Sequence, residues 1–206
     1  MSVERVAAYI DGFNFYYGLI EAKLHSSRWL DFTSMCSKLL KPDQQLVKVR
    51  YFTTRVRNDP AKQARQNTYI DALEARGGIE IDYGHFLPHT ASCKNCGHTW
   101  NANKEKKTDV NIAVRLLDDA YDNLFDTALV ISGDSDLAPP IESVRRRHSA
   151  KTVIVAFPPK RRSGELGRVA HAAFHIGRGV IRSSRLPDPM VQANGVALHA
   201  PNGWLP

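Results

Sequence analysis

Four aspartates in this sequence stand where carboxylate chemistry is expected. Asp11 follows an apolar run at residues 6–10, and Asp134 and Asp136 follow a second apolar run at residues 128–132. Asp109 opens a stretch with helical periodicity. Carboxylates brought close together raise one another's pKa, and a divalent cation relieves their repulsion. The sequence therefore predicts a cation site formed by these acids.

The ligand type indicates which cation this would be. Hard carboxylate oxygens favour Mg²⁺ or Mn²⁺, which keep several bound waters and leave positions for a phosphate. Such an ion polarises a phosphoryl group and lowers the pKa of bound water. Asn14, one helical turn after Asp11, is placed to orient a ligand or that water. The alternative is that each aspartate only caps a helix or complements its dipole.

The elements around these acids alternate between strand and helix. Apolar runs and alternation predict five strands, at residues 6–10, 46–52, 79–83, 128–132 and 152–157. Helical spacing and caps predict helices at 14–23, 32–40, 60–76 and 164–173. Two further helices are predicted, one that begins at residue 108 and another that ends at residue 147. An extended segment at 174–181 follows the last helix. This order indicates an α/β fold with a parallel sheet and helices on both faces. Ligands of such sheets bind at the carboxyl ends of the strands, where the strand order reverses.

Composition limits the class of protein. A chain of 206 residues with 43% apolar residues fits one domain, which we place at residues 1–182, with a loosely packed tail at 183–206. The net charge of +7 favours a polyanionic partner. No apolar run approaches the roughly 18 residues that a membrane crossing needs. The early charges at Glu4 and Arg5 argue against a secretory signal, and three cysteines favour a reducing cytoplasm.

Residues 84–107 lose all periodicity and are interpreted as a small Cys/His-containing insertion. Cys93 and Cys96 have the C-x-x-C-G spacing of a zinc knuckle, and His98 and His89 are candidates to complete a structural Zn²⁺ site. No second cysteine pair is present to complete a zinc ribbon. The alternative is a pair of reduced surface thiols beside solvated histidines.

Basic side chains follow the predicted strands and precede Asp109. Together with aromatic residues near Asp11, they could hold the phosphates and bases of single-stranded RNA. The alternative is that these charges only solvate one face of the protein. The candidate RNA-binding residues are Arg55, Arg57, Arg65, Lys106 and Lys107.

Three segments together resemble the NYN domain, in the LabA-like branch of the PIN-like nucleases. They are Y-I-D-G-F-N at 9–14, E-K-K-T-D-V-N-I-A at 105–113 and V-I-S-G-D-S-D-L at 130–137, and the resemblance extends over about residues 5–180. It implies a PIN-like sheet and a metal-dependent ribonuclease or RNA-processing endonuclease. By position, Asp11, Asp109, Asp134 and Asp136 match the family's acidic cluster, and Asn14 matches its asparagine.

Three functions follow from these residues. The first is hydrolysis of RNA phosphodiester bonds at a Mg²⁺ or Mn²⁺ site. A haloacid-dehalogenase-like phosphatase is disfavoured, because it needs an aspartate two residues after Asp11 and Phe13 stands there. The third is an RNA-binding or scaffolding module that does not turn over a substrate.

Overall fold

The helices and strands follow the alternation that the sequence predicts. The computed structural model describes residues 3–57, 59–92, 96–106 and 108–206. The strands are β1 Glu4–Asp11, β2 Gln44–Thr53, β3 Glu80–Tyr83, β4 His85–Ser92, β5 Thr99–Lys106, β6 Thr127–Ile131, β7 Thr152–Phe157, β8 Ala172–His175, β9 Met190–Val191 and β10 Ala197–Leu198. The helices are α1 Gly12–Glu21, α2 Phe32–Ser37, α3 Pro60–Arg76, α4 Thr108–Tyr121, α5 Ala138–Arg147, α6 Gly164–Val169 and α7 Arg178–Ser183.

A six-stranded parallel sheet organises the domain, in the order β3-β2-β1-β6-β7-β8. The α/β class and the parallel sheet are as predicted, but the expected number of about five strands is wrong. The sixth strand, β8, lies at the edge, and all four of its residues are exposed. It therefore lacks the buried alternation by which a strand is found in sequence. Parallel pairing with β7 holds it, from Ala172 opposite Ile154 to His175 opposite Phe157, and the next residue, Ile176, donates its N–H to Phe157 O at 3.0 Å.

The end of the domain also differs from the sequence prediction, because its short elements bury too few side chains to give a periodic pattern. The helix expected over 164–173 ends at Val169, and the segment expected to be extended over 174–181 contains the start of α7. Ile181 of α7 is fully buried against the sheet. One buried side chain on a six-residue helix is too short a pattern to distinguish a helix from an extended segment.

Each face of the sheet carries its own core. Alternate residues of β1 point to opposite sides, so that Val6, Ala8 and Ile10 pack beneath α1, α2, α3 and α7. Ala7 and Tyr9 pack beneath α4, α5 and α6. The helices on both faces are as predicted, and Asp11 continues the side of Ala7 and Tyr9.

A buried ion pair joins α4 to the sheet. Arg50 Nε and Nη2 donate to the two carboxylate oxygens of Asp119 at 2.8 and 2.9 Å, and the Tyr9 hydroxyl donates to Asp119 Oδ2 at 2.8 Å. Arg50 also pairs with Glu80 at 2.6 Å. Burial, reinforced by Asp119, raises the pKa of the Tyr9 hydroxyl far above its ordinary value, so this group remains a donor. The ion pair sets the position of α4 and thereby that of its N-terminus.

Residues 84–107 contain an antiparallel hairpin. β4 and β5 pair along their whole length, from His85 opposite Lys106 to Ser92 opposite Thr99, as a separate two-stranded sheet. Cys93 and the side chain of His89 lie outside the described residues, while Cys96 and His98 are exposed. The zinc site in this segment stays a prediction.

Residues 183–206 pack more closely than their proline-rich composition suggests. β9 and β10 form a short antiparallel pair beside α3. Leu186 is 3% exposed and Trp204 is 6% exposed. The Trp204 ring lies 5.5 Å from that of Tyr69, with the Arg28 guanidinium 5.0 Å from its centre. This differs from the loose tail that we expect from sequence, because one aromatic side chain filling a gap produces no periodic pattern.

A helix that crosses a membrane must be both long and apolar. In the described part of the chain, no helix is long and apolar enough to span a bilayer.

Candidate active site at the carboxyl edge of the sheet

The strand order reverses at β1, which lies between β2 and β6. The helical crossovers from β1 therefore leave a crevice between the carboxyl ends of β1 and β6, which is where parallel α/β sheets bind ligands. Asp11 is the last residue of β1, and Ser132, Gly133 and Asp134 follow β6 directly. The two motifs that the sequence placed at strand ends meet at this crevice.

Asp11 is held from two sides and is only 5% exposed. Its Oδ1 accepts a hydrogen bond from Asn14 N at 3.0 Å, which caps α1. Its Oδ2 accepts a hydrogen bond from Ser132 Oγ at 2.9 Å. A cap uses one carboxylate oxygen, so the bond from Ser132 gives this side chain a second role, linking β1 to the loop after β6.

Ser132 is the site residue that sequence analysis missed. It is fully buried, and its hydroxyl both donates to Asp11 and accepts from Asp134 N at 3.0 Å. Asn14 completes the connection, since its Oδ1 accepts from Gly133 N at 2.9 Å. A hydroxyl residue between a buried strand and Gly133 was the available signal, but its place at the strand end made it look like a strand residue.

Asp134 and Asp136 lie on the outer side of this network. Asp134 is half-buried and caps the 3-10 turn Ser135–Leu137, its Oδ1 accepting from Asp136 N at 3.0 Å. Asp136 is exposed. Asp134 is therefore close to Asp11 through Ser132, whereas Asp136 faces solvent at the rim.

Asp109 lies in the first turn of α4 and is half-buried. The hydroxyl of the preceding Thr108 lies 3.3 Å from that of Thr54, which follows β2. Helix α4 also packs against the turn that contains Asp136. The start of α4 is thus at the same edge of the sheet as Asp11, and not on the opposite side of the molecule.

The donor set fits a small hard cation that takes few protein ligands. Among the described residues, no group of three His, Cys, Asp or Glu side chains is arranged to hold a metal ion. Mg²⁺ commonly binds through one or two carboxylates, with waters and substrate phosphates supplying its other ligands. Asp11 and Asp134 provide carboxylates of this kind, and Asn14 and Ser132 hold the loops that carry them.

The basic residues predicted to bind RNA occupy different environments. Arg55 donates to Asn67 Oδ1 at 2.7 Å and to the Tyr83 hydroxyl at 2.9 Å, so its guanidinium is held within the fold. Arg57 is exposed, and Arg65 is half-buried. Lys107 and the side chain of Lys106 lie outside the described residues.

The loop after β7 packs directly against the glycine that follows Ser132. A Cβ at Gly133 would lie 2.8 Å from Arg161 Cβ and 3.1 Å from Arg162 N, so only glycine allows this approach. Arg161 also pairs with Glu21 of α1. The loop backbone therefore lies against Gly133 at the crevice, while the Arg161 side chain extends along α1 to Glu21.

We expect the substitution Gly133→Ala to lower the free energy of unfolding by about 1–3 kcal/mol, because the added methyl group overlaps the Arg161 loop. Gly167→Ala in α6 is the matched control, since nothing lies within 4 Å of its Cβ position. It should be neutral or stabilising by up to about 1 kcal/mol. Urea denaturation followed by circular dichroism measures the free energy of unfolding of both variants. Equal urea midpoints for the two variants would contradict the close approach of the Arg161 loop to Gly133.

A cavity of about 300 Å³ lies on the other face of the sheet, between α1, α3 and the end of β2. Its walls include Phe15, Tyr69 and Trp204, which are buried, and Tyr17, which is exposed at its mouth. Arg65 also lines it. This cavity begins at Gly12 and Phe13, directly after Asp11, but lies on the opposite side of β1 from the acidic crevice.

Three similarities relate most of the chain to known proteins. The model of the NYN domain matches residues 5–177. The chain is 25% identical to 6-hydroxy-3-succinoylpyridine 3-monooxygenase HspA of Pseudomonas putida, over 89% of this chain and 70% of that protein. Its fold is similar to the crystal structure of a protein of unknown function from Vibrio parahaemolyticus, with a TM-score of 0.55 and 22% identity, over 86% of this chain and 95% of that one. At this identity the Vibrio structure shows a shared fold alone.

Proposed function

The chain belongs to the NYN domain family, and from this premise we propose that it is a metal-dependent endoribonuclease of the LabA-like branch. NYN domains are generally nucleases of the PIN-like superfamily and typically act on RNA with Mg²⁺ or Mn²⁺. The site proposed for this chain is the crevice between β1 and β6. The proposed substrate is RNA with an exposed single-stranded segment.

One observation carries the proposal. Asp11 and the Asp134 segment share the buried hydroxyl of Ser132, although they come from strands far apart in the chain. A helix cap needs no such connection, because the bond from Asn14 N already satisfies it. The network instead supports a site in which the Asp11 carboxylate is held beside the backbone of Asp134, whose own carboxylate caps the next turn, next to a substrate crevice.

The side chains of this crevice would divide the work between them. Asp11 and Asp134 would hold the cation, Asp109 and Asp136 would add negative charge or bind its waters, and Asn14 and Ser132 would keep the loops in place. A bound Mg²⁺ or Mn²⁺ supplies polarisation of the phosphoryl oxygen and a bound water of lowered pKa. Arg162, which is exposed and whose backbone lies beside Gly133, would meet the RNA backbone, whereas the Arg161 guanidinium is paired with Glu21.

The test is cleavage of an end-labelled single-stranded RNA by the purified protein. We expect cleavage with Mn²⁺ or Mg²⁺, none with EDTA, and at least a tenfold lower rate for Asp134→Asn at unchanged protein stability. Glu142→Gln is the control, because Glu142 is an exposed carboxylate of α5 that is not among the residues proposed for the crevice. Binding of RNA without cleavage under every metal would instead support the RNA-binding or scaffolding alternative.

A second candidate is the oxidation of a small aromatic acid. The related Pseudomonas protein is named a monooxygenase of 6-hydroxy-3-succinoylpyridine, and the aromatic-lined cavity beside α1 is the observation in this chain that favours such a substrate. Oxygen uptake in the presence of that compound and a reduced nicotinamide or flavin distinguishes the two candidates. Uptake that depends on the compound would favour oxidation, and RNA cleavage without it would favour the nuclease.

A further inference from the structure

We propose that the cavity beside α1 is a binding site for a planar aromatic ring that carries an anionic group. Its volume of about 300 Å³ is at the lower end of the range for small-molecule sites, enough for one ring system and its substituent. This site is separate from the acidic crevice, and its occupation does not depend on the proposed ribonuclease activity.

The walls of the cavity suit an aromatic ring. Eight aromatic side chains line it, and those that form its inner part are nearly inaccessible to solvent. A planar ligand gains both apolar burial and edge or face contacts with such rings. The lining aromatic residues are Phe13, Phe15, Tyr16, Tyr17, Phe32, Tyr51, Tyr69 and Trp204.

The charges at the cavity indicate that the ring carries an anion. Arg28 and Arg65 both line it, and neither forms an ion pair with a carboxylate that the structure describes, although Arg65 is near enough to help lower the pKa of Asp59. Arg28 donates to carbonyl oxygens, of His25 at 2.8 Å and Gly203 at 3.0 Å, and lies over the Trp204 ring, but no carboxylate among the described residues pairs with it. Lys62 also lines the cavity, but Asp59 pairs with it at 3.0 Å.

Trp204 has a polar group that lacks a partner. Its Nε1 is buried and makes no hydrogen bond to any residue that the structure describes. Trp204 also lines the space that continues outward from the cavity past Arg28, Arg65 and Asn202. Because the Nε1 atom has no accessible surface, Trp204 contributes its aromatic ring to the wall of the cavity and not its N–H group.

A nucleotide and a free aromatic acid both combine a planar aromatic ring with an anionic group. The test is isothermal titration calorimetry of the full chain in EDTA with two probes, adenosine 5′-monophosphate and 1-naphthoate. EDTA keeps the measurement independent of any metal at the acidic crevice, so failure of the ribonuclease proposal does not affect it. Binding of the nucleotide alone identifies a nucleotide site, and binding of the naphthoate alone or more tightly identifies a site for aromatic acids.

Two variants test the residues. Arg65→Ala should weaken binding at least tenfold, because a charge-assisted hydrogen bond is lost. Trp204→Leu keeps an apolar side chain but removes one aromatic ring from the wall, and should weaken binding about threefold to tenfold. Arg146→Ala, which removes the same charge from the exposed end of α5, should leave binding unchanged.

Two results would overturn the proposal. One is the absence of heat with both probes at millimolar concentration, which would mean that the cavity takes no aromatic anion. The other is an equal loss of affinity in the Arg65→Ala and Arg146→Ala variants. This result would mean that the overall charge of the protein, and not this cavity, attracts the probe. Circular dichroism of each variant confirms that the comparison is between folded proteins.

Discussion

Asp11→Asn is expected to lower the rate of metal-dependent RNA cleavage by about 10²–10³-fold while leaving the fold intact. Asparagine caps helices as well as aspartate does, so Asn14 N keeps its acceptor. The Ser132 hydroxyl can accept from the new amide as well as from Asp134 N. What is lost is the negative charge that would hold the cation, and such electrostatic contributions at active sites are worth about 2.7–4 kcal/mol.

The same substitution at another helix cap provides the control. Asp31 caps α2 by accepting from Ser34 N at 2.8 Å and pairs with Arg76 at the opposite edge of the sheet. Asp31→Asn should leave the cleavage rate within about twofold of the native protein. Initial rates under saturating Mn²⁺ measure both variants. If Asp11→Asn cleaves at the native rate, then Asp11 is a helix cap only and the proposed site is wrong.

Asp119→Ala is expected to lower the free energy of unfolding by about 3–5 kcal/mol. The substitution leaves Arg50, which is 8% exposed, without its bidentate partner and Tyr9 without its acceptor. A buried guanidinium that loses its carboxylate keeps the cost of its desolvation. Because Arg50 retains Glu80, the loss should fall toward the lower end of this range.

The neighbouring Asp118 gives a matched comparison, because it is exposed on the same helix. Asp118→Ala should change the free energy of unfolding by less than about 0.5 kcal/mol. Urea denaturation measures the loss of unfolding free energy in both variants. A loss below about 1 kcal/mol for Asp119→Ala would mean that the ion pair with Arg50 contributes little and that packing alone holds α4.

Much of the fold could be predicted because it depends on neighbours in the chain. The helix over Pro60–Arg76 begins at a proline after the capping Asp59 and ends before Gly77, and the structure has these bounds. The strand over Thr152–Phe157 is likewise found as predicted. In contrast, β8 could not be predicted, because its exposed residues carry no apolar alternation and only its hydrogen bonds to β7 make it a strand.

The candidate site could be predicted in part. The position of Asp11 and Asp134 at strand ends, together with the parallel sheet, predicts that they share an edge. The hydrogen bond from Ser132 to Asp11 could not be predicted, because these two residues are 121 positions apart in the chain. The expectation that four acids surround one ion remains a proposal, because the described side chains include no group of three that could hold a metal.

The sequence by itself determined the order of strands and helices, the motifs at the strand ends and the family, because spacing and residue type are local properties. Only the tertiary structure decided that Ser132 joins Asp11 to the loop after β6, that Arg50 and Asp119 fasten α4, and that scattered aromatic residues enclose a cavity. These features depend on distances between residues far apart in the chain. Such distances are set by how the two faces of the sheet pack, and no pattern along the sequence records them.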